Sequence, residues 1–188
     1  MISFITAALA LAGSAVALPT ARAANATVDV FGILALRSAS PIHYGSVSAS
    51  IGNLFINRAQ DAECASNISS AEFYIKDGGL FLYGDGFSNE TQQVYVDRSG
   101  MGQGNVGYVT SNTPAPRSGE LTGWSFNSTG GNRYLQFDGA SLLACPSIDN
   151  SYALWVDVGV AAPGGSTECL GFKALAADIA KPVPCKYS

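Results

Sequence analysis

The sequence predicts an all-β fold, specifically a β-trefoil-like three-unit barrel held by two disulfides, with a β-sandwich as the alternative. Three observations carry that expectation. Beyond its leading segment the chain reads as short β-branched and aromatic runs punctuated by Gly, Asn, Asp and Ser, the pattern of strands joined by tight turns. Helical periodicity is nearly absent from the same region. A hairpin pattern also recurs: Phe73-Tyr74-Ile75, Gly78-Gly79, Leu82 and Asp85-Gly86 align with Trp124-Ser125-Phe126, Gly130-Gly131, Leu135 and Asp138-Gly139 at an offset of 51 to 53 residues. A third, degenerate copy over Val28 to Ser70 would place Ile51-Gly52-Asn53-Leu54-Phe55 in the hairpin role. Three such units of about 50 residues are the signature of a trefoil; a sandwich would show similar hairpins because all hairpins alternate.

The elements follow from local chemistry. Val28 to Leu36 is apolar and partly β-branched, and Ser46 to Ile51 alternates Val47, Ala49 and Ile51 with three serines before Asn53 to Ile56 continues the pattern. Glu72 to Lys76, Asp77-Gly78-Gly79 and Leu80 to Tyr83 form the strongest hairpin signal, since Asp-Gly supplies the positive φ that a tight turn needs. Strands are expected at Val94 to Asp97, Asn105 to Thr110, Trp124 to Phe126, Tyr134 to Phe137, Ser141 to Cys145, Tyr152 to Val158 and Phe172 to Ala176. The Ala-rich stretch from Leu170 to Ala180 also allows a helical turn.

Composition narrows the function. Of the 188 residues only 13% are charged, the net charge is −4 and there is one His, so a basic surface for nucleic acid is not expected. Ile2 to Leu18 is apolar or small throughout, and Ala15-Val16-Ala17 offers small residues at signal-peptidase spacing. We expect a signal peptide over 1–17, with a second candidate cut at 23, and one all-β domain over 24–188. The apolar run is too short for a span of about 20 residues and Pro19 follows it, so no membrane anchor is expected.

Cys64, Cys145, Cys169 and Cys185 are an even set in an oxidising compartment, which favours two disulfides. Three connectivities exist. Cys64 with Cys145 and Cys169 with Cys185 is the favoured one, because the second bond would pin the C-terminus. The sequons at Asn25, Asn67, Asn89 and Asn127 mark expected N-glycosylation sites on surface loops.

Catalytic signals do not assemble. Gly102-Gln103-Gly104-Asn105-Val106-Gly107 matches a dinucleotide fingerprint, with Glu120 near the distance of a ribose-binding acid, but a strand and a Pro-bearing loop follow where a helix is required. A glycine turn allowing close backbone approach explains the string better. His43 is the one candidate general base near neutral pH, and there is no G-x-S-x-G elbow to pair with it. Asp97, Asp138, Asp149 and Asp157 fall at strand ends, where turn chemistry accounts for Asp. Trp124, Trp155, Tyr95, Tyr108 and Tyr152 could stack on sugars, although alternating strand positions usually make core. No catalytic residue, metal site or cofactor is expected.

Several strings resemble one family. Arg37-Ser38-Ala39-Ser40-Pro41-Ile42-His43, Tyr95-Val96-Asp97-Arg98-Ser99-Gly100-Met101-Gly102-Gln103-Gly104, Gly107-Tyr108, Gly123-Trp124-Ser125, Ala144-Cys145-Pro146 and Leu154-Trp155 resemble, in order, the PhiA cell wall proteins of filamentous fungi. A more distant likeness is to the C-terminal domain of yeast PIR wall proteins, but the Gln-bearing repeats that attach those proteins to glucan are missing. The resemblance implies a secreted, N-glycosylated, non-catalytic wall component that supports phialide and conidium development and stress protection, in a family also met as mould allergens. Its partners would be wall polysaccharide or other wall proteins. The alternative is a carbohydrate-binding or inhibitor-type secreted module.

Overall fold

Fifteen strands form among the described residues, 28–84, 91–110 and 113–188, of the computed structural model. The leader, Asn25, Asp85-Gly86 and Asn89 lie outside them. The first three strands are β1 (Phe31–Leu36), β2 (Val47–Ser50) and β3 (Asn53–Ile56), followed by a short β4 (Ala62–Cys64). A hairpin of β5 (Phe73–Lys76) and β6 (Gly79–Leu82) leads to β7 (Gln92–Asp97), β8 (Asn105–Thr110) and the two-residue β9 (Gly119–Glu120). Then come β10 (Trp124–Thr129), β11 (Asn132–Phe137), β12 (Leu142–Pro146), β13 (Tyr152–Val156), β14 (Leu170–Asp178) and β15 (Cys185–Tyr187). Among the described residues the only helical turns are 3₁₀ turns at Ile148–Asn150 and Pro163–Gly165.

The expected strands are all present, with β4, β9 and β15 in addition. These three are two or three residues long, too short to show a period, and exist because a distant strand offers them backbone partners. The Ala-rich stretch is the longest strand, β14, not a helical turn. It pairs with β1 on one side and with β11 and β12 on the other, so ladder hydrogen bonds override weak local propensity.

Thirteen strands share one antiparallel sheet, whose pairing path runs β1-β5-β6-β7-β8-β3-β13-β12-β14 and returns to β1 through the β1–β14 pair. From β14 the sheet also extends outward through β11 to β10, an edge strand. Hairpins β2–β3, β5–β6 and β10–β11 turn on Ile51-Gly52, Asp77-Gly78 and Gly130-Gly131, and each of these six residues has positive φ. The repeat in the sequence is therefore a repeat of turn chemistry. The three hairpins hold unlike places: β5 and β6 lie within the closed path, β10 ends the sheet, and β2 pairs with β3 alone. This pairing establishes the all-β class, does not confirm a threefold trefoil, and is compatible with a sandwich.

Alternation sorts the two faces. Phe31, Ile33 and Ala35 of β1, Leu135 and Phe137 of β11, Leu142 and Ala144 of β12, and Phe172 and Ala174 of β14 are buried in one hydrophobic cluster. Their neighbours Leu34, Tyr134, Leu143 and Leu175 point to the other face of the sheet and are half-buried.

The C-terminal segment closes this core. Tyr187 is 1% exposed, and both polar atoms of the Gln92 side chain grip its backbone, Oε1 accepting from the Tyr187 N–H at 2.8 Å and Nε2 donating to its carbonyl at 2.6 Å. The Tyr187 hydroxyl accepts the Glu72 N–H at 3.2 Å, and the Glu72 carboxylate accepts the Val183 N–H at 2.8 Å. Burial pushes the Tyr187 phenol up to about 12, so it is neutral, and lifts the Glu72 carboxyl above its ordinary 4.5. The folded state then holds the Glu72 proton more tightly than the unfolded chain, so this group's contribution is fully present below the ordinary value and lost as pH rises through the raised one. Glu72→Gln keeps an acceptor for Val183 without the charge. Its urea midpoint is expected to exceed that of the unsubstituted protein at about pH 7 and to match it at about pH 3.5.

The disulfides differ from the favoured expectation. Cys64 bonds to Cys185 and Cys145 to Cys169. Strand pairing decides both: Cys64 and Cys185 are direct partners in the β4–β15 ladder, and the Ala144↔Leu170 register of β12 and β14 sets Cys145 opposite Cys169. The Cα separations are 4.1 and 4.0 Å. The C-terminus is pinned as expected, but to Cys64.

Candidate functional site

The residues with catalytic potential are engaged in local structure, and Glu120 and Asp138 come together only as partners of Arg98. His43 is exposed at a turn, its Nδ1 accepting the Arg37 N–H at 3.2 Å and its ring 4.1 Å from that of Tyr44. Asp97 Oδ1 accepts the Ser99 N–H at 2.9 Å and Oδ2 accepts the Ser118 hydroxyl at 2.7 Å; hydrogen bonding from the Ser99 side chain leads in holding this carboxyl below its ordinary value. Asp157 accepts the Gly159 N–H at 3.1 Å, and Asp138 and Asp149 occupy positive-φ turn positions. Turn chemistry thus accounts for all four aspartates. Glu120, the ribose-acid look-alike, accepts Arg98 Nε at 2.8 Å and Nη2 as well, and that pairing lowers its pKa. Arg98 also meets Asp138 at 2.9 Å and lies over the Phe137 ring at 5.0 Å.

The glycine string is a rigid clamp. Gly104 donates to the Asp97 carbonyl at 2.7 Å and its own carbonyl accepts the Val156 N–H at 2.7 Å, so the loop is stitched to both β7 and β13. A Cβ at Gly102 would lie 2.1 Å from Asp97 Cγ, and one at Gly104 2.3 Å from the Val156 carbonyl oxygen. Close backbone approach is therefore what these glycines allow. The clamp leaves Met101 93% exposed at its tip.

Of the aromatics singled out for sugar stacking, two are buried and three half-buried. Trp124 and Tyr108 are 3% and 5% exposed, and a Cβ on Gly164 would fall 2.8 Å from the Trp155 ring, showing how closely the 159–165 loop covers it. The Tyr95 ring is packed against Gly107 and Gly119, and Tyr152 lies against the core. Sequence reasoning passed over Tyr134, whose outward position at β11 emerges only from the register. It lines a cavity of about 110 Å³ with Asn127, Gln136, Ser141 and Lys173, and Lys173 Nζ stands 5.5 Å from its ring centroid. Ser141, Phe172 and Lys173 also border an adjoining groove of about 320 Å³ that includes Leu36, Leu143 and Asp157.

Of the described sequons, Asn67 is exposed in the segment after β4, beside a hollow of about 400 Å³ lined by Gln60 and Ser66. Asn127 is exposed too, but on edge strand β10 and not on a loop as expected, because the β10–β11 ladder runs to its Gly130-Gly131 turn. Among the described residues no group of three or more His, Cys, Asp or Glu is placed to hold a metal, and no helix is long and apolar enough to cross a membrane.

Two disulfides within an all-β sheet protein define a class of cystine-linked β proteins, bonds of the kind that persist in oxidising compartments. The comparisons with known proteins specify it. A sequence profile described as PhiA-like secreted protein matches residues 31–188. A cell wall protein phiA of Emericella nidulans is 47% identical over 188 residues, covering 98% of each chain. One of Aspergillus fumigatus is 44% identical over 182 residues, 95% of this chain and 96% of the relative, and one of Arthroderma benhamiae is 37% identical over 197 residues, 100% and 99%. No solved structure matches. The chain belongs to the PhiA-like family of secreted proteins, and it is a secreted protein of the cell wall.

Proposed function

We propose that this protein is a structural, non-catalytic glycoprotein of a fungal cell wall that supports phialide and conidium development and protects against stress by coating or cross-linking the wall. Its partners are wall polysaccharide or other wall proteins, and its glycan acceptors are Asn67 and Asn127, with Asn25 and Asn89 outside the described residues. The observation that carries this reading is near full-length similarity to proteins named for the cell wall. The engaged state of His43 and the aspartates agrees with a non-catalytic role.

All four cysteines are consumed within the chain, and none is left for a disulfide to another wall protein. Attachment through a disulfide is thereby excluded, and in this reading the protein is held noncovalently. Hot detergent without reductant or glucanase is expected to release the protein from isolated walls; release only by reductant or by β-glucanase would refute it. The developmental role is tested separately by deletion, which is expected to leave sparse or misshapen phialides. A null strain that sporulates normally under all conditions would overturn that part.

A further inference from the structure

The cavity beside Asn127 lies at the end of a row of opposed residues. Leu34 of β1 faces Leu175 of β14, Leu175 faces Tyr134 of β11, and Tyr134 faces Asn127 of β10. Directly opposed residues of antiparallel strands share a face with their Cβ atoms about 5 Å apart. The inward neighbours Ile33, Ala174 and Leu135 belong to the core cluster, so this row of four runs across the outer face and ends at the sequon. Within the sequon, the Thr129 hydroxyl donates to Asn127 Oδ1 at 3.4 Å. The cavity of about 110 Å³ is lined by Asn127 together with Tyr134, Gln136, Ser141 and Lys173.

We propose that the N-glycan carried by Asn127 folds back along this row, its first sugar packing an apolar ring face on Tyr134 with its hydroxyl and acetamido groups within reach of Gln136, Ser141 and Lys173. An apolar sugar face against an aromatic, with donors and acceptors around it, satisfies both halves of a saccharide's surface. Glycosylation itself joins Asn127 Nδ2 to the anomeric carbon of a lipid diphosphate-linked oligosaccharide: the C–O bond to the diphosphate breaks, the lipid diphosphate leaves, and the amide loses one proton. The glycan then also shields β10, one edge strand of the sheet, from pairing with another chain. This inference rests on the reading of Asn127 as an acceptor.

The test is a double-mutant cycle in protein secreted from a fungal host: the unsubstituted chain, Asn127→Gln, Tyr134→Ala and the double variant, with peptide mapping of occupancy at Asn127. Asn127→Gln is expected to lower Tm by about 3 °C with Tyr134 present and by under about 1 °C in the Y134A background. Tyr134→Phe retains the ring and is expected to behave as the unsubstituted protein; Tyr134→Thr replaces Y134A if that variant is not secreted. Equal shifts in both backgrounds, with Asn127 occupied, would overturn the packing and leave the glycoprotein reading standing. An unoccupied Asn127 would overturn both.

Discussion

Replacing Tyr187 by alanine is expected to destabilise the protein by about 3–5 kcal/mol, the range for truncating a large buried aromatic side chain. Tyr187 is among the largest fully buried side chains and belongs to the core cluster although it stands next to the last residue. Its removal opens a cavity bordered by β4 and the region of Glu72, and it strips the Glu72 N–H of its acceptor. Tyr187→Phe separates the two effects: it fills the space and leaves only the buried N–H unsatisfied, at about 1–3 kcal/mol. Equilibrium urea unfolding gives both values, and a Y187A midpoint no lower than that of Y187F would show that the tail does not close the core.

Removing the Cys64–Cys185 bond is expected to cost more than removing Cys145–Cys169. The first spans 121 residues and the second 24. Chain-entropy reasoning assigns about 4.7 kcal/mol to a loop of about 100 residues and about 3 kcal/mol to one of about 15, because the longer cross-link removes more freedom from the unfolded chain. The Cys64→Ala/Cys185→Ala protein should therefore lose between 4 and 5 kcal/mol, to order of magnitude, in urea unfolding, and the Cys145→Ala/Cys169→Ala protein roughly 3. Coupling with Tyr187 sharpens the test. Cys185 and Tyr187 share β15, so once the disulfide is gone the tail frays more readily and Y187A should cost less in that background. Additive losses would mean that the bond and the aromatic hold the tail independently.

The tail also shows where the sequence stops being informative. Cys185-Lys186-Tyr187 has no period to read, and nothing local marks its Tyr as core. It becomes core because Gln92, 95 residues away, grips its backbone and Cys64 binds its neighbour. The favoured disulfide pairing is overturned for the same reason: position along the chain does not specify it, and the register of β12 on β14 and of β4 on β15 decides it. The outer cavity is hidden likewise. Asn127 and Tyr134 are both plain in the sequence, but their apposition with Leu175 exists only once β11 has paired with β14.

What the sequence by itself determined is what local chemistry specifies. Alternation located the longer strands, Asp77-Gly78 and its counterparts placed the hairpin turns, the glycines of 102–107 announced a close backbone approach, and the family strings carried the chain to the wall. What only the tertiary structure decided is which distant strands meet: the ladder that returns from β14 to β1, the unlike places of three similar hairpins, the cystine pairing and the burial of Tyr187. Turn geometry and side-chain alternation depend on a few adjacent residues, whereas strand order is set by the collective burial of one apolar face, in which every pairing constrains the next.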